Sequence, residues 1–146
     1  MNRNNSGFTL IELLVVLVIL GLQAGLILPK MMGRTEDARR QTAEVQIRSL
    51  ENALALYYAD NGMYPTTEQT LKALVELPTV SPIPQKWKGP YLEKGILPTD
   101  PWGKDYLYLS PGIHLKEFDL MSYGKDGVQG GANEFADIEN WNIGRK

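Results

Sequence analysis

Few side chains in this sequence could carry chemistry, and they gather in two places. The first is Glu12, a carboxylate inside "GFTLIELLVVLVILGLQAGLIL", an otherwise apolar run. An ionised acid there costs ~2.5 kcal/mol or more near mid-bilayer, less near an edge, and such groups are normally paired. No Lys or Arg lies within the run, so the nearest cation that could be made is a new α-amino group. Cleavage after Gly7 would give Phe8 one, with an intrinsic pKa of ~7.7–8 and a positive charge at neutral pH. The second place is "YGKDGVQGGANEFADIEN". There Asp126, Glu134, Asp137, Glu139 and two asparagines offer hard oxygen donors on a backbone that Gly127, Gly130 and Gly131 allow to turn. Calcium takes about six to eight such oxygens at ~2.3–2.6 Å. A solvated Asp-Gly turn fits the same spacing, and the EF-hand pattern is absent.

Enzyme chemistry has little to work with. The absence of cysteine excludes a disulfide framework, a thiolate metal site and a Cys nucleophile. A single His114 rules out zinc bound by several imidazoles. Ser122, His114 and Asp119 exist, but no motif places them together and no nucleophile elbow is visible. With 15 basic and 17 acidic residues the net charge is −2, and no basic stripe offers a footprint for nucleic acid.

These groups must be positioned by a chain whose two parts differ in composition. Phe8 to Leu28 is 21 residues with only Glu12 and Gln23 strongly polar. As a helix it would be about 31 Å long, close to the hydrocarbon thickness of a bilayer. A short polar leader, Met1 to Gly7, carries Arg3 and the initiator amine, which by the positive-inside tendency leaves that end cytoplasmic. An ordinary secretory signal cleaved near Ala24 and Gly25 is the alternative, although the run continues into Leu26-Ile27-Leu28. Pro29 predicts a kink or loosened turn between Gly25 and Pro29. Beyond it, Ala43, Ile47, Leu50, Leu54 and Tyr57 recur at helical spacing, predicting one helix from Thr9 to Ala59.

After a turn at Asn61-Gly62 the spacing predicts a short helix capped at Thr66 or Thr67, with Leu71, Leu74 and Val75 facing inward up to Pro78. Residues 79–106 are rich in proline and glycine and predict an ordered loop pinned by Trp87, Tyr91 and Trp102. Alternation predicts two antiparallel strands, Tyr106 to Ser110 and Glu117 to Tyr123, joined through Pro111-Gly112, with Phe118, Leu120 and Leu107 toward the helix.

The stretch "GFTLIELLVVLVILG" resembles the class III signal of type IV pilins and pseudopilins. In that signal a prepilin peptidase cuts between the Gly and the Phe and methylates the new amine. "LENALALYYADNGMYPTTEQTLKALV", "LPTDPWGKDYLYLSPG" and "MSYGKDGVQGG…ADIENWNIG" resemble successive blocks of the major pseudopilin of type II secretion systems. The resemblance implies an α+β, type IV pilin-like fold, with a long N-terminal helix packed on a small antiparallel sheet, a long ordered loop and a Gly/Asp-rich C-terminal loop. It divides the chain into a leader at 1–7, a transmembrane and filament-core helix at 8–29, and a periplasmic head at 30–146 that includes the second half of the helix.

On the same resemblance, Gly7 and Phe8 flank the cleavage site, and Glu12 neutralises the Phe8 amine of an adjacent subunit. Methylation keeps that amine cationic. The C-terminal loop is then a structural calcium site with Asp126 and Asp137 as acidic ligands. The backbone carbonyls of Tyr123 and Val128 contribute, and Glu134 is held in reserve. The implied function is structural, a subunit of a periplasmic pseudopilus that drives export of folded proteins. Its partners are further copies of itself, minor pseudopilins, the inner-membrane assembly platform and prepilin peptidase, and it lies in the inner membrane with its head in the periplasm. The competing readings are a type IV pilin or DNA-uptake subunit and a membrane-anchored hydrolase. An adhesive pilin would usually show a longer head and a cysteine pair.

Overall fold

The computed structural model describes residues 8–144, and the side chains of residues 8–23 and 34–144. Helix α1 runs over Leu10–Asn61, 52 residues. Its end follows from local chemistry: the Asn61 side chain donates to the Tyr57 carbonyl at 2.9 Å, and Gly62 turns left-handed at φ 72° while its N–H bonds to the Tyr58 carbonyl. A glycine just past the last turn adopts that conformation without the steric cost that a Cβ would add. The loosened turn expected between Gly25 and Pro29 is not a break, since the backbone stays helical through Pro29. A proline removes a single helical hydrogen bond, and its fixed φ is itself helical.

By its contacts the chain divides after Glu36. In the first unit twelve large apolar side chains from Phe8 to Leu22 are each at least 48 % exposed. Among the described residues no helix is long and apolar enough to cross a membrane. Residues 24–29 of the expected spanning run lie outside the described side chains, as the 1–7 leader lies outside the described residues.

In the second unit the expected stripe Ala43, Ile47, Leu50, Leu54 and Tyr57 is wholly buried, and Ala53 joins it. The segment after Gly62 is a 3-10 turn, Leu71–Leu74, shorter than the predicted helix. Leu71 and Leu74 face inward as expected, while Val75 is half-buried. Thr66 and Gln69 exchange reciprocal bonds, backbone N–H to side chain in each direction, which fixes the entry to this turn. The Gln69 amide also donates to the carbonyls of Val80 and Pro82, both at 2.8 Å, and so holds the start of the long loop. Trp87 Nε1 bonds to the Ala73 carbonyl and Tyr91 N–H to the Leu74 carbonyl, so the loop is pinned by two of the aromatics predicted to do so. Trp102, the third, packs partly buried against the core.

The sheet has three strands in the order β1 (Leu107–Leu109), β2 (Asp119–Ser122), β3 (Ile138–Glu139), all antiparallel. Register pairs Leu107 with Met121 and Ser122 with Ile138. Phe118 and Leu120 are buried as expected, but Leu107 is 39 % exposed. The two-residue period turns Tyr106 and Tyr108 inward instead. Their phenols are satisfied by Gln46 Oε1 at 2.6 Å and the Pro65 carbonyl at 2.9 Å. β3 was not predicted, because two residues give no alternation. It is set by Asn140, whose side chain and N–H both pair with the backbone of Leu120.

Candidate functional site

At the N-terminal site Phe8 is exposed, and Gly7 lies outside the described residues. Glu12 has a partner within its own chain. Thr9 donates its N–H at 2.9 Å and its hydroxyl at 3.0 Å to Glu12 Oε2, and the Glu12 N–H donates to the Thr9 hydroxyl at 3.3 Å. This is a capping box, in which two otherwise orphaned helix-end donors are satisfied reciprocally. The sequence carries its signature, Thr-x-x-Glu ahead of an apolar run, which the reading of Glu12 as a lone acid missed. Both Thr9 donors go to the same oxygen, so Oε1 remains without a partner among the described residues.

The C-terminal loop leaves β2 at Ser122, and its departure is fixed by a buried acid. Asp100 Oδ1 accepts the N–H groups of Trp102 and Lys104, which closes the Asp-Pro-Trp-Gly turn. Its Oδ2 accepts the Ser122 hydroxyl at 2.6 Å, and Ser122 Oγ accepts the Gly124 N–H at 3.0 Å. Tyr123 is thus held between two anchored neighbours. The turn was legible in the sequence, but the reach of its carboxylate to a residue 22 positions away was not.

Within the loop Asp126 Oδ1 accepts the Val128 N–H in a local turn, and Asp137 Oδ2 accepts the Gly130 N–H at 2.8 Å, closing the second half of the loop. Gly124, Gly127, Gly130 and Gly131 all have positive φ. Arg40 of α1 donates to the Ala136 carbonyl and so fixes the residue before Asp137. Asp137 Oδ1 is buried and has no hydrogen-bond partner. A desolvated carboxylate oxygen left unpaired costs about 1–3 kcal/mol or more, so it is a natural place for a cation. Glu134 is diverted, because Lys125 pairs with it at 2.8 Å and also lies 5.2 Å from the centre of the Phe135 ring. No group of three or more His, Cys, Asp or Glu side chains poised for a metal occurs among the described residues.

The hydrolase constellation is not assembled. His114 Nδ1 does meet Asp119 Oδ2 at 3.0 Å, but the Ser122 hydroxyl is committed to Asp100. Ser122 and Asp119 are each 1 % exposed and beyond reach of a substrate. Asp119 instead accepts the N–H groups of Ile113, His114 and Leu115 and organises the loop between β1 and β2. Gly112 is required there: a Cβ would lie 2.2 Å from the Leu115 carbonyl oxygen.

Comparison with known proteins finds family matches over residues 2–28 and 30–141. Residues 30–141 match the family described as Type II secretion system (T2SS), protein G, and residues 2–28 match the Prokaryotic N-terminal methylation motif. The Type II secretion system core protein G of Pseudomonas aeruginosa is 49 % identical over 140 residues, covering 95 % of this chain and 96 % of that one. Its counterpart in Vibrio cholerae is 49 % identical over 142 residues, covering 97 % and 94 %. The crystal structure of the major pseudopilin from the type 2 secretion system of enterohaemorrhagic Escherichia coli superposes with a TM-score of 0.68 at 43 % identity, over 78 % of this chain and 92 % of that chain.

Proposed function

Because the chain belongs to the type II secretion system protein G family, a structural family and not an enzyme family, we propose that it polymerises into the periplasmic pseudopilus that drives export of folded proteins. The observation that carries this reading is the bare apolar surface of Phe8 to Leu22. A monomer in water cannot keep so continuous a patch exposed. Lipid covers it first and neighbouring helices cover it afterwards, so assembly exchanges one apolar environment for another. Head-to-tail contacts that do not close then generate a helical filament. The inner-membrane assembly platform and the minor pseudopilins are the partners this route requires.

Electrostatics decides the register of that exchange. Prepilin peptidase cuts between Gly7 and Phe8, a step supported by the methylation motif matched at 2–28. The new Phe8 amine of one subunit meets Glu12 of its neighbour, which removes two unfavourable charges from an apolar interior together. The capping box with Thr9 supports this pairing, because it orients the carboxylate while leaving Oε1 for the amine. Calcium in the 123–137 loop would be held by Asp126, Asp137 and the carbonyls of Tyr123 and Val128, where it supplies a divalent charge that rigidifies the loop. The buried, unpaired Oδ1 of Asp137 supports that assignment, and the Lys125 pair argues against Glu134 as a ligand.

Mass spectrometry of the mature N-terminus tests the processing route. The expected species begins at a methylated Phe8. A chain starting near Gly25 would replace this reading with that of a secreted soluble protein.

A further inference from the structure

Lys104 lies outside the candidate cation loop in sequence but on top of it in space. Its backbone is fixed at both ends of the Asp100 turn: the Lys104 N–H donates to Asp100 Oδ1 at 2.8 Å, and its carbonyl accepts the Asp100 N–H at 2.7 Å. Asp100 is in turn bonded to Ser122, and Ser122 to Gly124 at the mouth of the loop. From this anchor the side chain runs across Gly127. A Cβ placed on Gly127 would be 1.8 Å from Lys104 Nζ, 2.7 Å from its Cε and 3.2 Å from its Cδ. Three successive atoms of the lysine therefore occupy the space a side chain would take, at the residue between the two candidate ligands Asp126 and Val128.

The other cations around the loop are committed elsewhere. Lys125 is paired with Glu134, and Arg40 donates to the Ala136 carbonyl. Neither Asp126 nor Asp137 forms an ion pair with any described residue, and the Lys104 ammonium, which lies against Gly127 next to Asp126 in sequence, has no ion-pair partner among the described residues either.

We propose that Lys104 is a tethered cation of the 123–137 loop, its ammonium lying across Gly127 so that a divalent ion must displace or repel it to bind, and that this residue sets how tightly calcium is held. The inference rests on the loop being a calcium site and adds the residue that tunes it. The physical cause is charge. An ammonium held over the loop attracts its carboxylates when the metal is absent and opposes a dication when the metal arrives. Its position on the surface means the opposition is screened by salt.

The test is calcium titration of the full chain in detergent micelles, followed by calorimetry and by melting with and without chelator, for wild type, Lys104→Met and Lys104→Arg. Methionine keeps the stem over Gly127 and removes the charge. The expected result is that Lys104→Met binds calcium about five- to tenfold more tightly at low salt, with the difference shrinking as salt rises. Lys104→Arg should stay within about twofold of wild type, the charge being conserved. If Lys104→Met binds within twofold of wild type, or more weakly, the tuning role is overturned while the calcium loop stands. A wild-type chain that neither binds calcium nor changes its melting with it overturns both. A lysine acting only through packing would lower melting equally with and without calcium and leave affinity unchanged, which also overturns the proposal.

Discussion

Asp119 is almost entirely buried, which by itself would push its carboxyl toward the neutral form. The N–H groups of His114, Leu115 and Ile113, with the His114 ring, outweigh that and hold its pKa below the ordinary carboxylate value. A carboxylate depressed on folding contributes stability that is present above its unfolded pKa of about 4 and is lost as pH falls through the lower folded value. Asp119→Asn is expected to cost about 1–3 kcal/mol at neutral pH, because three donors lose a charged acceptor. Denaturant titrations at pH 7 and pH 3 should show the deficit shrinking in acid. At the cation loop the contrast between two acids is the informative one. Calcium well above its Kd, by about 100-fold, would add about 2.7 kcal/mol to a chain that binds it only when folded. Asp137→Asn should abolish the calcium-dependent rise in melting temperature, and Glu134→Gln should leave it intact, since Glu134 is engaged by Lys125. An unchanged melting point in wild type after chelation would remove the metal from the account.

At the scale of elements, α1 carries opposite faces that can be separated by mutation. Leu50 is fully buried and Val45 is 66 % exposed, although both are aliphatic residues of one helix. Leu50→Ala is expected to cost about 2–5 kcal/mol through lost burial and a residual cavity. Val45→Ala should stay within about 0.5 kcal/mol, as surface substitutions usually do. Urea unfolding of the two variants measures the difference directly. The long loop shows the same division of labour by other means. It has no ladder of its own, so its order comes from Gln69, Trp87 and Tyr91, each of which bonds to a backbone group elsewhere. Paired backbone groups are what allow an irregular segment to lie against a core.

For the whole molecule, the division after Glu36 separates the exposed apolar run from the unit that holds the core. The core residues from Ala43 to Tyr57, Leu71 to Leu74 and Tyr106 to Ile138 all belong to the second unit, and Glu12 belongs to the first. Replacing Glu12 with Ala is therefore expected to leave head melting and membrane insertion unchanged while filaments disappear. Electron microscopy of cells expressing the variant, set beside a melting curve of the purified chain, separates the two effects. Normal fibres from Glu12→Ala would refute the pairing of acid and amine.

The amino-acid order alone determined the helix and its buried stripe, because a 3.6-residue apolar period has one physical reading when it persists over four turns. It also determined the signal-like N-terminus, since the Gly-Phe junction, the acid and the apolar run are neighbours along the chain. Local proximity encodes the Thr9–Glu12 box too, in the Thr-x-x-Glu spacing. Tertiary structure alone decided the rest. β3 is two residues long and exists through its pairing with β2, and Leu107 and Tyr108 exchanged faces by a register that only the partner strand sets. Asp100, Arg40 and Lys104 reach the C-terminal loop from positions far away in sequence. Such contacts arise when folding closes long loops around a core, and no short spacing in the sequence encodes them.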